Sequence, residues 1–326
     1  MEEGRLPAFR GMGSGVKYYS TGWQLRICAS LMVGAMCLSL AGCSSNDSAP
    51  DATPKVHSPV LLKSVDLHLP VESYLFSDAE TEELSKARFA LHKKCLQRFG
   101  LNYEIPPAGP SVGPRSFMDR RYGVTDKAEA EADGYHLGDR DPRKHPAHPP
   151  RLSGDQQKAL MGRSQEEAST AADGGSALRV NGVAVPPGGC SAEAAKELAG
   201  SAKLGPGDLP RQVNFDSFAS SKSDSRVRKA FEAWSGCMKR HGYSYPDPLG
   251  AVNDPRFQGA SSTQQERSTA TADVACKKQV NLVGIWFTVE TSLQKEMIAR
   301  RQADFAAALK AKDKQLARVK AVLRDQ

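Results

Sequence analysis

Long apolar runs are scarce in this chain of 326 residues. The longest, residues 27–41, has 15 uncharged residues. As a helix it spans about 22 Å at 1.5 Å per residue, short of a ~30 Å hydrocarbon core. Together with a mean hydropathy of −0.47, this excludes a multi-span membrane protein. The composition is still too mixed for a wholly disordered chain. Aromatics make up 7% of the residues, a modest stock for a large core, so covalent staples are expected to help. No Cys-x-x-Cys, Gly-x-Ser-x-Gly, His-Glu-x-x-His, P-loop or dinucleotide fingerprint occurs. The sequence therefore offers no ready metal, nucleophile or phosphate site.

What is present begins with an address. Lys17 and Arg26 precede the apolar run, and Leu40, Ala41, Gly42 and Cys43 stand at its end. A basic flank, a short apolar run and small residues at a cleavage point make a secretory signal. The tetrapeptide resembles the lipobox of bacterial lipoproteins. That resemblance implies a diacylglyceryl group on the Cys43 thiol and cleavage that leaves Cys43 first in the mature chain. Two acyl chains anchor durably, where one binds only marginally. A plain secretory signal or a short anchor is the alternative. Met12 is a second candidate start for the long leader.

Seven cysteines are present. Cys28 and Cys37 lie in the signal and Cys43 takes lipid, which leaves Cys95, Cys190, Cys237 and Cys276. Four cysteines in an exported protein suggest two disulfides, with three possible pairings. An internal repeat gives a preference. Phe89, Cys95, Arg98, Gly100, Tyr103 and Pro106 coincide, without gaps, with Phe231, Cys237, Arg240, Gly242, Tyr245 and Pro248. Each copy has one further cysteine downstream, so the economical pairing is Cys95–Cys190 and Cys237–Cys276. Pairing across copies is the competitor.

Residues 1–42 are read as the signal and 43–60 as a flexible tether, rich in Ser, Pro and Asp. Residues 61–200 form the first helical unit, 201–225 a linker, 226–288 the second unit and 289–326 one long helix. In the first unit, Ser77 and Glu80 form a capping box, ahead of a stripe of Leu84, Ala87, Leu91 and Cys95. Residues 104–150 hold eight prolines and are expected to be irregular and exposed, apart from a helix near 126–133. Ser153 caps a short helix. Asn181-Gly182 marks a hairpin, and a short helix follows Cys190. In the second unit Val227, Ala230, Phe231, Trp234, Cys237, Met238 and His241 recur at helical spacing. Ser262 or Thr263 caps the next helix, Thr263 with Glu266 three residues on, and that helix carries Cys276. Phe305, Leu309, Leu316, Val319 and Leu323 read as a coiled-coil seam or a core-facing stripe, interrupted by Lys312. The expected fold is mainly α. It has two related disulfide-stapled helical units with long Pro-rich loops, one small β-hairpin and a long C-terminal helix.

The segments 89–103, 120–124, 134–136, 185–191 and 233–248 together resemble a large set of secreted lipoproteins of actinobacteria. The resemblance implies a shared fold and an envelope location; it carries no activity.

Other constellations are weak. His136, His145 and His148 stand with Asp139 and Asp141 in a loop whose prolines argue against a preorganised metal shell, so no metal is expected there. Ser292 and Lys295 match Ser-x-x-Lys, but the accompanying Lys-Thr-Gly is missing, and the pair reads as an exposed helix turn. Tyr103 and Tyr245 are read as closing the turn after each helix. Residues 295–326 hold nine Lys and Arg against four acids. This basic excess suits anionic lipid or wall polymers at an extracytoplasmic site, not nucleic acid; a solvated basic face is the equal alternative. The functional expectation is a membrane-anchored binding or interaction module of the cell envelope. It would need no cofactor and would take an envelope protein or an anionic wall polymer as partner. A wall-acting enzyme or a solute-binding lipoprotein is the alternative.

Overall fold

The computed structural model describes residues 58–60, 63–104, 109–146, 151–162, 178–200 and 203–325. The signal, Cys43 and most of the tether lie outside them, as does His148. Residues from Val56 to Gln326 make one compact unit.

The described residues are mainly helical, with one two-stranded hairpin. The helices are α1 (Asp78–Gln97), α2 (Lys127–Asp133), α3 (Gly154–Met161), α4 (Gly189–Ala199), α5 (Asp208–Ser223), α6 (Ser225–Arg240), α7 (Pro248–Val252), α8 (Gln264–Gln279), α9 (Leu282–Arg300) and α10 (Gln302–Arg324). Between α3 and α4 runs the hairpin, β1 (Arg179–Val180) with β2 (Val183–Ala184). Its turn is Asn181-Gly182, both residues at positive φ, as a tight hairpin requires.

The caps fall where side-chain chemistry puts them. Ser77 Oγ accepts from the Glu80 N–H at 3.2 Å, and Glu80 answers at the Ser77 N–H. Ser153 caps α3, and Thr263 caps α8. The repeat is also a structural repeat. Gly100 N–H donates to Gln97 O and Leu101 N–H to Leu96 O; Gly242 N–H donates to Lys239 O and Tyr243 N–H to Met238 O. Both cysteine-bearing helices thus end in the same Schellman turn, closed by a left-handed glycine.

Both disulfides form within the copies. Cys95–Cys190 joins α1 to α4, and Cys237–Cys276 joins α6 to α8. The copies differ in polarity: Cys190 opens its helix, whereas Cys276 sits in the last turn of its own.

Among the described residues there are five apolar clusters, and three of them hold most of the buried side chains. The largest gathers Tyr122, Val227, Trp234, Met238, Leu282 and Trp286. A second surrounds the first disulfide with Leu96, Phe99, Tyr103, Leu160 and Val180. A third packs α1, α4 and α10 through Ala87, Leu91, Leu198 and Val319. Val319 and Phe305 are buried while Leu309 is exposed, so the α10 stripe faces the core and is not a coiled-coil seam. Lys312, which breaks that stripe, is itself buried. Its Nζ lies 3.0 Å from Glu80 Oε2 and donates to Leu75 O at 2.6 Å.

Four expectations need correction. The linker 201–225 contains α5, which buries Val213, Ser217 and Ser221 against the core. The helix expected to run unbroken from 289 ends at Arg300, and the chain turns at Arg301 before α10. The tether's last residues, 58–60, lie against α9: Asn281 Nδ2 donates to Pro59 O at 3.2 Å. Residues 113–146 are not an exposed excursion. Met118, Tyr122, Val124, Ala130, His136 and Asp141 are buried, and α2 packs along α8.

Candidate functional site

The buried polar groups come first, because perturbed titratable residues are where chemistry is usually found. Glu290 on α9 is fully buried. Arg121 is its ion partner, and Tyr122 Oη donates to its Oε2 at 2.8 Å. Ser217 Oγ on α5 lies 3.2 Å from Oε1 and accepts from Gln294 Nε2 at 2.9 Å. Burial, and then the Glu290 charge, pushes the Tyr122 phenol well up. Every part of this network is engaged in holding residues 117–122 to α5 and α9.

Asp273 and Lys277, one turn apart on α8, form a second network. Lys277 Nζ donates to Asp273 Oδ2 at 2.9 Å and to Val124 O at 2.8 Å. Trp234 Nε1 donates to Asp273 Oδ1 at 2.9 Å. Burial pushes the carboxyl up and the ammonium down, while their mutual attraction opposes both shifts.

The histidine-rich loop is divided by the fold. His136 Nδ1 lies 3.1 Å from Asp141 Oδ2, and His136 Nε2 faces Glu266 Oε2 at 3.4 Å. Arg143 donates to both Asp141 oxygens, at 2.9 and 2.7 Å. Its guanidinium holds the Asp141 carboxyl far below the usual carboxylate range. Asp139 and His145 are elsewhere: the Asp139 backbone oxygen lies 2.7 Å from His145 Nε2 at the surface. The four described residues of this set do not converge, and the buried pair is already held by an arginine; His148 lies outside the described residues. Cys237, His241 and Cys276 bring donor atoms within 4.8 Å of one another, but both sulfurs belong to a disulfide.

Ser292 donates its hydroxyl to Thr288 O at 3.0 Å within α9, an ordinary exposed helix turn. Tyr103 packs 6.3 Å from Phe89 behind α1. Tyr245 Oη donates to Asp254 Oδ2 at 2.7 Å, and burial with that carboxylate pushes its phenol up to about 12. Both tyrosines close their turns.

The surface offers open grooves. One of about 300 Å³ runs between α1, α4 and the end of α10, with Leu91 and Val322 below Lys93, Lys94, Glu197 and Asp325. Beside it a cleft of about 130 Å³ opens over the first disulfide. There Arg98 Nη2 lies 2.8 Å from Cys95 Sγ and 2.6 Å from Glu193 Oε2. A shallow hollow of about 640 Å³ is bordered by His241, Tyr243 and Arg267. An apolar floor under mixed charges suits a peptide or polymer strand better than an enclosed small molecule. The sequence could not show these grooves, because each combines helices distant in the chain.

No protein-family model, curated protein or solved structure matches the chain. Among the described residues, no helix is long and apolar enough to cross a membrane.

Proposed function

We propose that the chain is a lipid-anchored extracytoplasmic protein of the cell envelope, held at Cys43, whose folded body serves as a binding or interaction module. The observation that carries the reading is the placement of Leu40-Ala41-Gly42-Cys43 at the end of a 15-residue apolar run with a basic flank. Two formed disulfides support it, since disulfides persist outside the reducing cytoplasm. The four cysteines beyond Cys43 are used in those bonds, which fits a Cys43 thiol kept for lipid. The resemblance to secreted actinobacterial lipoproteins points the same way.

The binding role draws on the open grooves and on buried carboxylates that are engaged inside the fold, Asp119, Asp141, Asp254, Asp273 and Glu290 by Arg, Lys, Tyr or Trp side chains and Glu266 by the Tyr135 N–H and His136. Partners of this reading are an envelope protein or an anionic wall polymer. Metabolic labelling with a fatty acid tests the anchor. Label on the native chain and none on Cys43→Ala is expected; a cleaved Cys43→Ala chain that still fractionates with membranes defeats it. Cross-linking in intact cells, with a tag after Gln326, tests the module. Reproducible capture of one envelope protein, lost with Cys43→Ala, is the supporting result.

A further inference from the structure

Residues 295–326 hold nine Lys and Arg against four acids, but part of that charge is engaged. Lys312 is buried against Glu80, Arg300 and Arg301 pair with Glu296 and Asp304, and Arg318 caps α4 at Ala199 O. A less neutralised face lies elsewhere. On α6, Arg228, Lys229, Lys239 and Arg240 are exposed, and Glu232 is the only acid that helix exposes. Arg228 and Lys239 lie eleven residues apart, as do Lys229 and Arg240. Eleven residues make just over three helical turns, so the two pairs form parallel rows about 16 Å long. Lys278, in the last turn of α8, is also exposed. Among the described residues, Arg228, Lys229, Lys239 and Lys278 have no carboxylate partner.

This face adjoins the place where the chain arrives from Cys43. The Cα atoms of Cys237 and Cys276 are 5.7 Å apart, which fixes the ends of α6 and α8 together. Asn281, five residues beyond Cys276, donates to Pro59 O. At 1.5 Å per residue that puts the entering chain within roughly 15–20 Å of Lys239 and Lys278. Gly284 marks the same contact from the other side, because a Cβ there would collide with Pro59 O.

Fourteen residues separate Cys43 from Ser58. Fully extended they reach about 50 Å, close to the width of a body of this size, again about 50 Å. In every less extended state the entry side is the side kept near the anchor. We infer that the α6–α8 end, with Lys239, Arg240 and Lys278 at its centre and Arg228 and Lys229 along α6, docks on anionic lipid headgroups. The inference rests on the anchor at Cys43. The anchor supplies proximity, and the basic face sets which side of the body meets the leaflet.

The test is lysine footprinting of the full lipidated protein on vesicles. One set holds one part phosphatidylglycerol to two parts phosphatidylcholine, and the other phosphatidylcholine alone. Amine acylation at each lysine is read by mass spectrometry. On anionic vesicles, acylation of Lys239 and Lys278 is expected to slow by about threefold or more, against no change at Lys310 and Lys320 on α10. The slowing should vanish in half-molar salt, where screening cuts the field to about 4 Å. In the double variant Lys239→Gln with Lys278→Gln, both surface changes, protection of Lys229 should fall. Equal acylation on both vesicle types, or protection of Lys310 and Lys320 instead, overturns the inference. Flotation with vesicles in high salt reports the anchor separately. A chain that floats but leaves Lys239 and Lys278 fully reactive retains its anchor and has no docked face. A chain protected at low salt that fails to float at high salt has the face without the anchor.

Discussion

The hydroxyl of Tyr122 donates to Glu290 Oε2 at 2.8 Å, across 168 residues of sequence. Around that bond an irregular segment of the first unit is bound to a helix at the far end of the chain. Arg121 shares the same carboxylate and stacks 4.9 Å from the centre of the Phe218 ring. Removing one partner of a buried, hydrogen-bonded pair leaves the other charge without compensation. Glu290→Ala is therefore expected to destabilise by about 3–5 kcal/mol. Tyr122→Phe should cost less, about 1.5–3 kcal/mol, the scale of one hydrogen bond to a charged group. Urea unfolding followed by circular dichroism measures both. Near-equal losses would mean that the arginine finds water when the carboxylate goes.

Acid should weaken the fold in two stages. His92 is buried beside Phe89 and Tyr103, and burial, helped by Arg88, lowers its pKa. Below about pH 6.5 the unfolded chain then takes up a proton that the folded chain resists. Stability falls with pH from there. The carboxylates follow. Arg143 beside Asp141 and Arg256 beside Asp254 hold both acids far below the usual range. Their contribution is full above about pH 4, the unfolded value, and is lost as pH falls through the folded one. Thermal melting from pH 8 to pH 2 should show a shallow loss first and a steeper one below about pH 4. His92→Leu should flatten the first stage, and Asp254→Asn should soften the second. A melting temperature flat from pH 7 to pH 5 in the native chain would remove His92 from this account.

The elements legible in the sequence are those whose signal is local. The α6 stripe, the Ser77 capping box, the Asn181-Gly182 turn and the glycines ending α1 and α6 all act through neighbours within five residues. Repetition extended that reach to both disulfide pairings. Residues 113–146, apart from α2, are illegible in the sequence because their partners are remote: Arg121 finds Glu290, Tyr135 N–H finds Glu266, and Val124 O takes Lys277. Helix α5 was missed for a related reason. Its buried face is partly polar, and Ser217 and Ser221 meet Glu290 and Trp286 instead of apolar side chains. The turn at Arg301 carries neither Gly nor Pro. The grooves and the basic face depend on which helices become neighbours, so a linear reading placed the charge in α10 alone.

The staples should be unequal. Cys95–Cys190 closes a separation of 95 residues, and Cys237–Cys276 one of 39. In the chain-entropy model these are worth about 4.7 and 4 kcal/mol. The Cys95→Ser, Cys190→Ser variant is thus expected to lose slightly more stability than the Cys237→Ser, Cys276→Ser variant. Peptide mapping without reduction should yield a Cys95–Cys190 peptide. One joining Cys95 to Cys237 would contradict the fold.

The junction of α3 and α4 depends on two glycines meeting back to back. Gly162 ends α3 at φ +59°, and a Cβ there would strike the backbone nitrogen of Gly189. Gly189 opens α4 at φ +67°, and its own Cβ would strike the Leu160 carbonyl oxygen. Neither obstacle is a flexible side-chain tip, so the helices would have to separate. Cys190 follows directly, and its disulfide limits how far they can move. Gly189→Ala is therefore expected to cost about 2–4 kcal/mol, combining left-handed strain with overpacking. Gly182→Ala, at φ +77° but facing open space, should cost about 1 kcal/mol from strain alone. Comparing the two by urea denaturation separates backbone conformation from close approach. If Gly182→Ala proves as damaging as Gly189→Ala, the close packing of α3 on α4 is not what requires glycine there.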